Sequence, residues 1–319
     1  MLKLNTAEAK TFTILLPNTN KALNEVLKTI TPKEHASLSN AKDLGSLLDS
    51  LIKSTAGDRV QNQQLLDLLK STPSLKSLGN VAETFKDLKE LLGNNRDLPL
   101  TKETKTKLEE AVREKLNNTP DNNAKTLKKN LENSGIFLES KLYKATENQL
   151  QKESFSHDLK ALVNKTVHEL QESKSPHTAE LNQQLQKLSL QIDYYQLLSS
   201  LNNASALYLP YSFDALEDGT LTIKKRKEEH FFCDIDLQLK EYGNLFLRLG
   251  LFQKKELNIT IQCESEILEE QLKKNLPNLR ENLFQAGLHP QNIHFTTPSQ
   301  QSESYGTQPE LALGFEVKA

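Results

Sequence analysis

From about Leu207 onward the apolar residues stop following a helical period and fall on every second position. Phe231, Cys233, Ile235, Leu237 and Leu239 alternate with Phe232, Asp234, Asp236, Gln238 and Lys240. Leu245, Leu247, Leu249 and Leu251 repeat the alternation after Gly243, and Leu257, Ile259, Ile261 and Cys263 repeat it again. A side-chain period of two belongs to strands with one face on a core. Almost everything before residue 205 carries the period of a helix instead. The expected class is therefore α+β. An elongated, mostly helical N-terminal region precedes a small C-terminal domain of antiparallel or mixed sheet with two helices.

Within that domain, residues 205–297, Tyr208-Leu209-Pro210 is read as the entry. Glu217-Asp218-Gly219 is read as a turn before a strand carrying Leu221 and Ile223. Strands are expected near 230–240, 244–252 and 256–263, with Tyr242-Gly243 and Lys254-Lys255 in the turns between them. A helix from about Ser265 carries Ile267, Leu268, Gln271 and Leu272. A second starts at Pro277, which suits a first turn, faces Leu279, Leu283 and Phe284 inward, and ends at Gly287. Ile293 and Phe295 make a last short strand. Residues 298–319 read as a flexible tail, although Leu311, Leu313, Phe315 and Val317 alternate and could add an edge strand. The expected core is Leu237, Leu245, Leu247, Ile259, Ile261, Leu279, Leu283 and Gly287.

Upstream, residues 1–19 read as an irregular leader and 20–117 as short helical hairpins. Their stripes are Ala22, Leu23, Val26, Leu27 and Ile30, then Leu44, Leu47, Leu48, Leu51 and Ile52. Leu65, Leu66, Leu68 and Leu69 follow, then Val81, Phe85, Leu88, Leu91 and Leu92. Each has i, i+3, i+4 spacing and a Gly or Pro stop. Leu108, Val112 and Leu116 mark one more helix. Residues 123–203 read as a long helical hairpin, one arm over 123–172 and the other over 177–201. Leu181, Leu185, Leu188, Ile192 and Tyr195 form a short heptad seam on the second arm, of the kind that packs one face of a hairpin. No fixed-period repeat recurs in register.

The apolar fraction of 36% is low for one globule of 319 residues, which is why the helical part is read as elongated or loosely packed. The net charge of −2 does not suit a nucleic-acid binder. The basic run Lys224-Lys225-Arg226-Lys227 is read as a solvated hairpin loop. Cys233 and Cys263 lie on inward positions of different strands and read as core thiols in a reducing compartment. No apolar run approaches a membrane span, and Met1-Leu2-Lys3-Leu4-Asn5 lacks the pattern of a cleaved signal peptide. Cytosolic synthesis is expected, with any export independent of such a signal.

No chemistry-bearing motif competes with this. Phosphate-binding glycine loops, nucleophile elbows and Cys-x-x-Cys pairs are absent. His289 and His294 are the one close histidine pair and read as exposed residues flanking a turn, not as metal ligands. Acidic residues such as Glu109, Glu110 and Glu114 stand beside Arg113, as on a solvated helix face. Neither a catalytic site, a metal nor a cofactor is expected.

One stretch does carry a resemblance. Leu276-Pro277-Asn278-Leu279-Arg280-Glu281-Asn282-Leu283-Phe284-Gln285-Ala286-Gly287-Leu288, then Ile293-His294-Phe295, follows the alternating strands and a helix. Gly243-Asn244-Leu245-Phe246-Leu247 opens one of those strands, and Phe315-Glu316-Val317-Lys318-Ala319 ends the chain. This series resembles the secretion-specificity switch domain of the flagellar hook-length control family. Ser134-Gly135-Ile136-Phe137-Leu138-Glu139-Ser140 also resembles a segment found upstream in related proteins. The family often has Pro where Leu239 stands and Leu where Tyr242 stands, and its N-terminal half is usually Pro/Gln-rich rather than helical.

The resemblance implies a soluble protein exported by the flagellar type III apparatus, contacting hook and hook-cap subunits through its N-terminal region; separately, a monomer without nucleic-acid or membrane partners is expected. It implies that the C-terminal domain contacts the export-gate switch protein and ends hook-subunit export. Tyr242, Gly243, Phe246, Arg280 and Leu288 are the candidate partner-binding residues; for leucines here, plain core packing is the simpler role. Some 200 residues would span roughly 300 Å as helix or about 700 Å extended. The alternative is a non-secreted helical scaffold or adaptor whose C-terminal module binds a cytoplasmic partner.

Overall fold

The structure, a computed structural model, describes residues 20–29, 66–67, 69–94, 98–116, 124–141, 157–173, 178–202, 204–209, 215–227 and 229–296. The expected leader, the helix at 44–52 and the final strand at 311–317 lie outside these residues. The chain divides into two compact units between Lys224 and Lys225. Six strands form one sheet in the order β1-β2-β3-β4-β5-β6. The fold is α+β, helical first and sheet-forming last, as the change of period predicts. Among the described residues no helix is long and apolar enough to cross a membrane.

The N-terminal unit contains α1 (Lys21–Thr29), α2 (Pro73–Lys76), α3 (Val81–Asn94), α4 (Lys102–Leu116), α5 (Ala124–Glu132), α6 (Leu159–Ser173) and α7 (Ala179–Asn202). β1 (Ser205–Tyr208) follows, then β2 (Leu216–Lys227), which reaches the division. The 24-residue α7 is the centre, with α1, α3, α6 and β1 packed on it. All five seam residues, from Leu181 to Tyr195, are buried. The burial extends beyond one seam, because Ser189, Gln191, Asp193, Leu197 and Leu201 are buried too. A helix clothed on several sides shows no single apolar stripe. The main core joins Phe85 and Leu88 of α3, Leu108 and Val112 of α4, Leu159 and Val163 of α6, the α7 seam, and Leu207 and Tyr208 of β1. A separate cluster joins Ala22, Leu23 and Val26 of α1 to Leu66, Leu69, Leu75, Leu197 and Leu201.

The expected helical arm over 123–172 is interrupted. α5 ends at Glu132, and a turn at residues 133–137 precedes a short helical turn at 138–141. Gly135 lies at φ +90°, and a Cβ there would come within 2.9 Å of the Lys160 backbone nitrogen. Only glycine combines that conformation with that approach. A new helix then starts at α6, where buried Asp158 accepts the backbone N–H groups of Lys160 (3.1 Å) and Ala161 (3.4 Å).

β2 overturns two expectations. The strand runs straight through Glu217-Asp218-Gly219, because this segment pairs with the end of β1: Tyr208 lies opposite Thr220, and Leu209 N–H donates to Gly219 O at 3.1 Å. The basic run is likewise strand rather than loop, since β2 continues to Lys227. Lys225 and Arg226 lie over the rings of Phe231 and Phe232, at 5.8 and 5.5 Å from the centroids. Cation and ring thus hold one another in the hairpin.

The C-terminal unit holds the end of β2, β3 (His230–Leu239), β4 (Gly243–Phe252), β5 (Glu256–Cys263), α8 (Glu266–Lys274), α9 (Leu276–Gln285) and β6 (His289–Thr296). β3, β4 and β5 pair antiparallel, whereas β6 pairs with β5 in parallel. A parallel return needs a crossover, and α8 and α9 are it. β5 alternates cleanly, with Leu257, Ile259, Ile261 and Cys263 buried. Leu245 is buried, while Leu237 and Leu247 are half-buried.

Two sequence-based facings are reversed. On β3 it is Phe232 that is buried and Phe231 that is exposed. Gly250 stands opposite Phe232, leaving room for its ring to meet Phe252 edge-on at 5.7 Å. Phe284 points outward, 56% exposed, instead of joining the core, and Ile267 is 66% exposed. Each is one residue, or about 100° of helix, from the residue that does turn inward. Those neighbours are Leu268 and Leu283.

Candidate functional site

The C-terminal unit exposes the large apolar side chains Phe231, Ile267 and Phe284. Its two thiols are free. Cys233 lies opposite Leu249, itself opposite Ile259, and Cys263 is four residues further along β5. Strand spacing puts them about 16 Å apart, far beyond the reach of a disulfide. Burial, then Asp234, pushes the Cys233 thiol up to about 11, and burial also raises Cys263. Thiols held protonated are poor nucleophiles. Among the described residues no group of three or more His, Cys, Asp and Glu is placed to hold a metal.

Gly243 closes the connection from β3 to β4, at φ +70°. A Cβ on it would lie 2.3 Å from Glu264 Oε2. That carboxylate accepts the backbone N–H of Asn244 at 2.8 Å and its Nδ2 at 2.9 Å. These bonds hold its pKa below the usual glutamate value. The glycine thus permits a hydrogen-bonded corner between the start of β4 and the end of β5. Tyr242, half-buried, is the residue before it.

Arg280 and Leu288 sit at the other end of the sheet. α9 ends with Gly287 at φ +78°, Gly287 N–H donating to Phe284 O and Leu288 N–H to Leu283 O, each at 2.9 Å. This is the paired-bond helix stop that Gly-Leu encodes. Arg280 Nη1 donates to Pro290 O at 3.3 Å, tying α9 to the start of β6. That start lies beside Glu256, whereas the Gly243 corner lies beside Cys263. The two groups are about 23 Å apart along β5.

Phe246 belongs to neither end. It shares a sheet face with Asp234 and Arg248, which stand directly opposite one another on β3 and β4. Arg248 Nε and Nη2 donate to the two Asp234 carboxylate oxygens at 3.0 and 3.2 Å, and its guanidinium lies 5.4 Å from the Phe246 ring centroid. Burial and the Asp234 charge raise the pKa of neighbouring Asp236. The five candidate residues therefore do not converge: they occupy two ends and one face.

Sequence reasoning missed the Asp234–Arg248 pair and Glu264. Two Asp residues, Asp234 and Asp236, in an apolar alternation were the available signal for the pair, but which of them finds a partner depends on strand register. The exposed Phe231 and Phe284 were also missed, since the residue pattern was read as placing both inward, and the exposure of Ile267 was not foreseen.

The unit presents side chains of the kind that bind other proteins. Its outward face carries a fixed cation between a carboxylate and an aromatic ring, and its helices expose large apolar side chains. Residues 221–304 match the family model described as flagellar hook-length control protein FliK. No curated protein and no solved structure matches the chain. The match starts within β2 and covers β3 to β6 with both helices. Over these residues the sheet-and-helix module is similar to the domain of the flagellar hook-length control family.

Proposed function

We propose that the chain controls hook length and switches type III export from hook to filament subunits. Its C-terminal unit grips the export-gate switch protein, while the N-terminal region contacts hook and hook-cap subunits during passage. The chain is itself an export substrate and acts without catalysis. The observation that carries this reading is the coincidence of the family match with the module from β2 to β6. The structure is compatible with unfolding for export. The C-terminal unit holds no disulfide, and α9 buries no residue fully.

Deleting residues 205–319 is expected to give overlong hooks without filaments; normal filaments on such cells would refute the reading. Secretion supplies the second test. Appearance of the protein in culture supernatant, lost when the export gate is deleted, is expected. Retention in the cytoplasm of export-competent cells would favour the non-secreted adaptor instead.

A further inference from the structure

One buried charge in the N-terminal unit holds two partners at once. Asp193, on α7, has a side chain only 3% exposed. Its Oδ1 lies 2.8 Å from Lys160 Nζ. Its Oδ2 accepts the backbone N–H of Lys21 at 2.8 Å, the first residue of α1. Asn20 completes the junction. Its Nδ2 donates to the Asp193 carbonyl, and its Oδ1 accepts Leu23 N–H, both at 2.9 Å. A carboxylate at a helix start meets unpaired N–H groups and the positive end of the helix dipole.

Lys160 is itself held from the other side, by Glu139 Oε1 and Gln196 Oε1, each at 2.6 Å. Asp193 is thus anchored to the body of the unit through one oxygen and grips α1 through the other. The apolar contacts are divided in the same way. α1 buries Ala22, Leu23 and Val26 in a cluster distinct from the main core. A helix of nine residues has no stability of its own.

We infer that Asp193 and Asn20 form a latch through which helix α1 docks on, and releases from, the rest of the N-terminal unit as a separate step. The main core does not depend on α1, so the chain opens from this helix first. Using that opening to start threading through an export channel rests on the reading above; the latch itself does not.

Native-state hydrogen exchange on the full chain tests it. Asn20→Ala and Asp193→Asn are each expected to lower the protection of the α1 amides by about fivefold or more. In Asn20→Ala the amides of α6 should keep their protection. Asp193→Asn also strips Lys160 of a buried partner, so Asn20→Ala, which touches neither charge, carries the decision. Unchanged α1 protection in Asn20→Ala would overturn the latch, as would an equal loss across α1 and α6 in that variant. Neither outcome depends on whether the protein is exported.

Discussion

In the N-terminal unit the central helix α7 is packed on several sides, and even its Ser189, Gln191 and Asp193 are buried. In the C-terminal unit the helices are lightly held: α8 buries Leu268 alone, and α9 buries nothing fully. The two units also treat charge differently. Lys160 and Asp193 are enclosed, while Asp234 and Arg248 pair on a sheet face with the arginine 35% exposed. The difference is between a body organised around one helix and a sheet that keeps surface available. Enclosed charge fixes how segments of a chain meet, since an unpaired buried ion is costly. Partly exposed charge beside an aromatic ring suits contact with another protein.

The sharpest test of this contrast compares leucines by urea unfolding. Leu188→Ala, in the α7 core, should cost about 3–5 kcal/mol. Leu279→Ala, half-buried on α9, should cost roughly 1 kcal/mol from its smaller buried area. Equal costs would break the comparison. Next come the glycines. Gly135→Ala must move the Lys160 backbone and should cost about 2–4 kcal/mol. Gly287→Ala meets nothing within 4 Å and should cost only about 1 kcal/mol, from its left-handed φ.

Breaking the sheet-face pair should have a smaller effect. Arg248→Met leaves Asp234 without its partner and should cost about 1–2 kcal/mol, reduced by solvent screening. Replacing both, Asp234→Leu with Arg248→Met, should recover most of the loss. A thermal melt of the three proteins checks this.

The last test is a pH slope. Burial lowers the pKa of Lys115 from 10.5 to about 8, its Nζ donating to Asn130 O at 3.0 Å. The folded pKa is depressed, so between these values the unfolded chain binds more protons and stability rises with pH. The burial penalty is fully present below about pH 8 and is relieved as pH approaches 10.5. Lys115→Met should remove this contribution, seen as a difference in slope between the two proteins.

Much of the architecture was legible in the residue pattern. The switch of period near residue 205, the clean alternation of β5, the seam on α7 and the Gly-Leu stop of α9 each depend on neighbours close in sequence. The turn at Gly135 was not legible, because its need for glycine comes from the Lys160 backbone. Nor was the passage of β2 through Asp218-Gly219, where pairing with β1 outweighs the turn preference of the dipeptide. Phe284 was misplaced for a related reason: apolar residues on adjacent helix positions leave the facing to whatever the helix packs against.

The chain alone determined the class of fold, the order of its parts and the family series in its C-terminal domain, since these rest on periodicity, local stop signals and residue order. Tertiary structure decided which charges are enclosed, where Arg248 finds its carboxylate, and that Asp193 serves both Lys160 and the start of α1. The reason is physical: the free energy of a buried polar contact is set by partners brought close in space, and no local pattern encodes which distant residues those are.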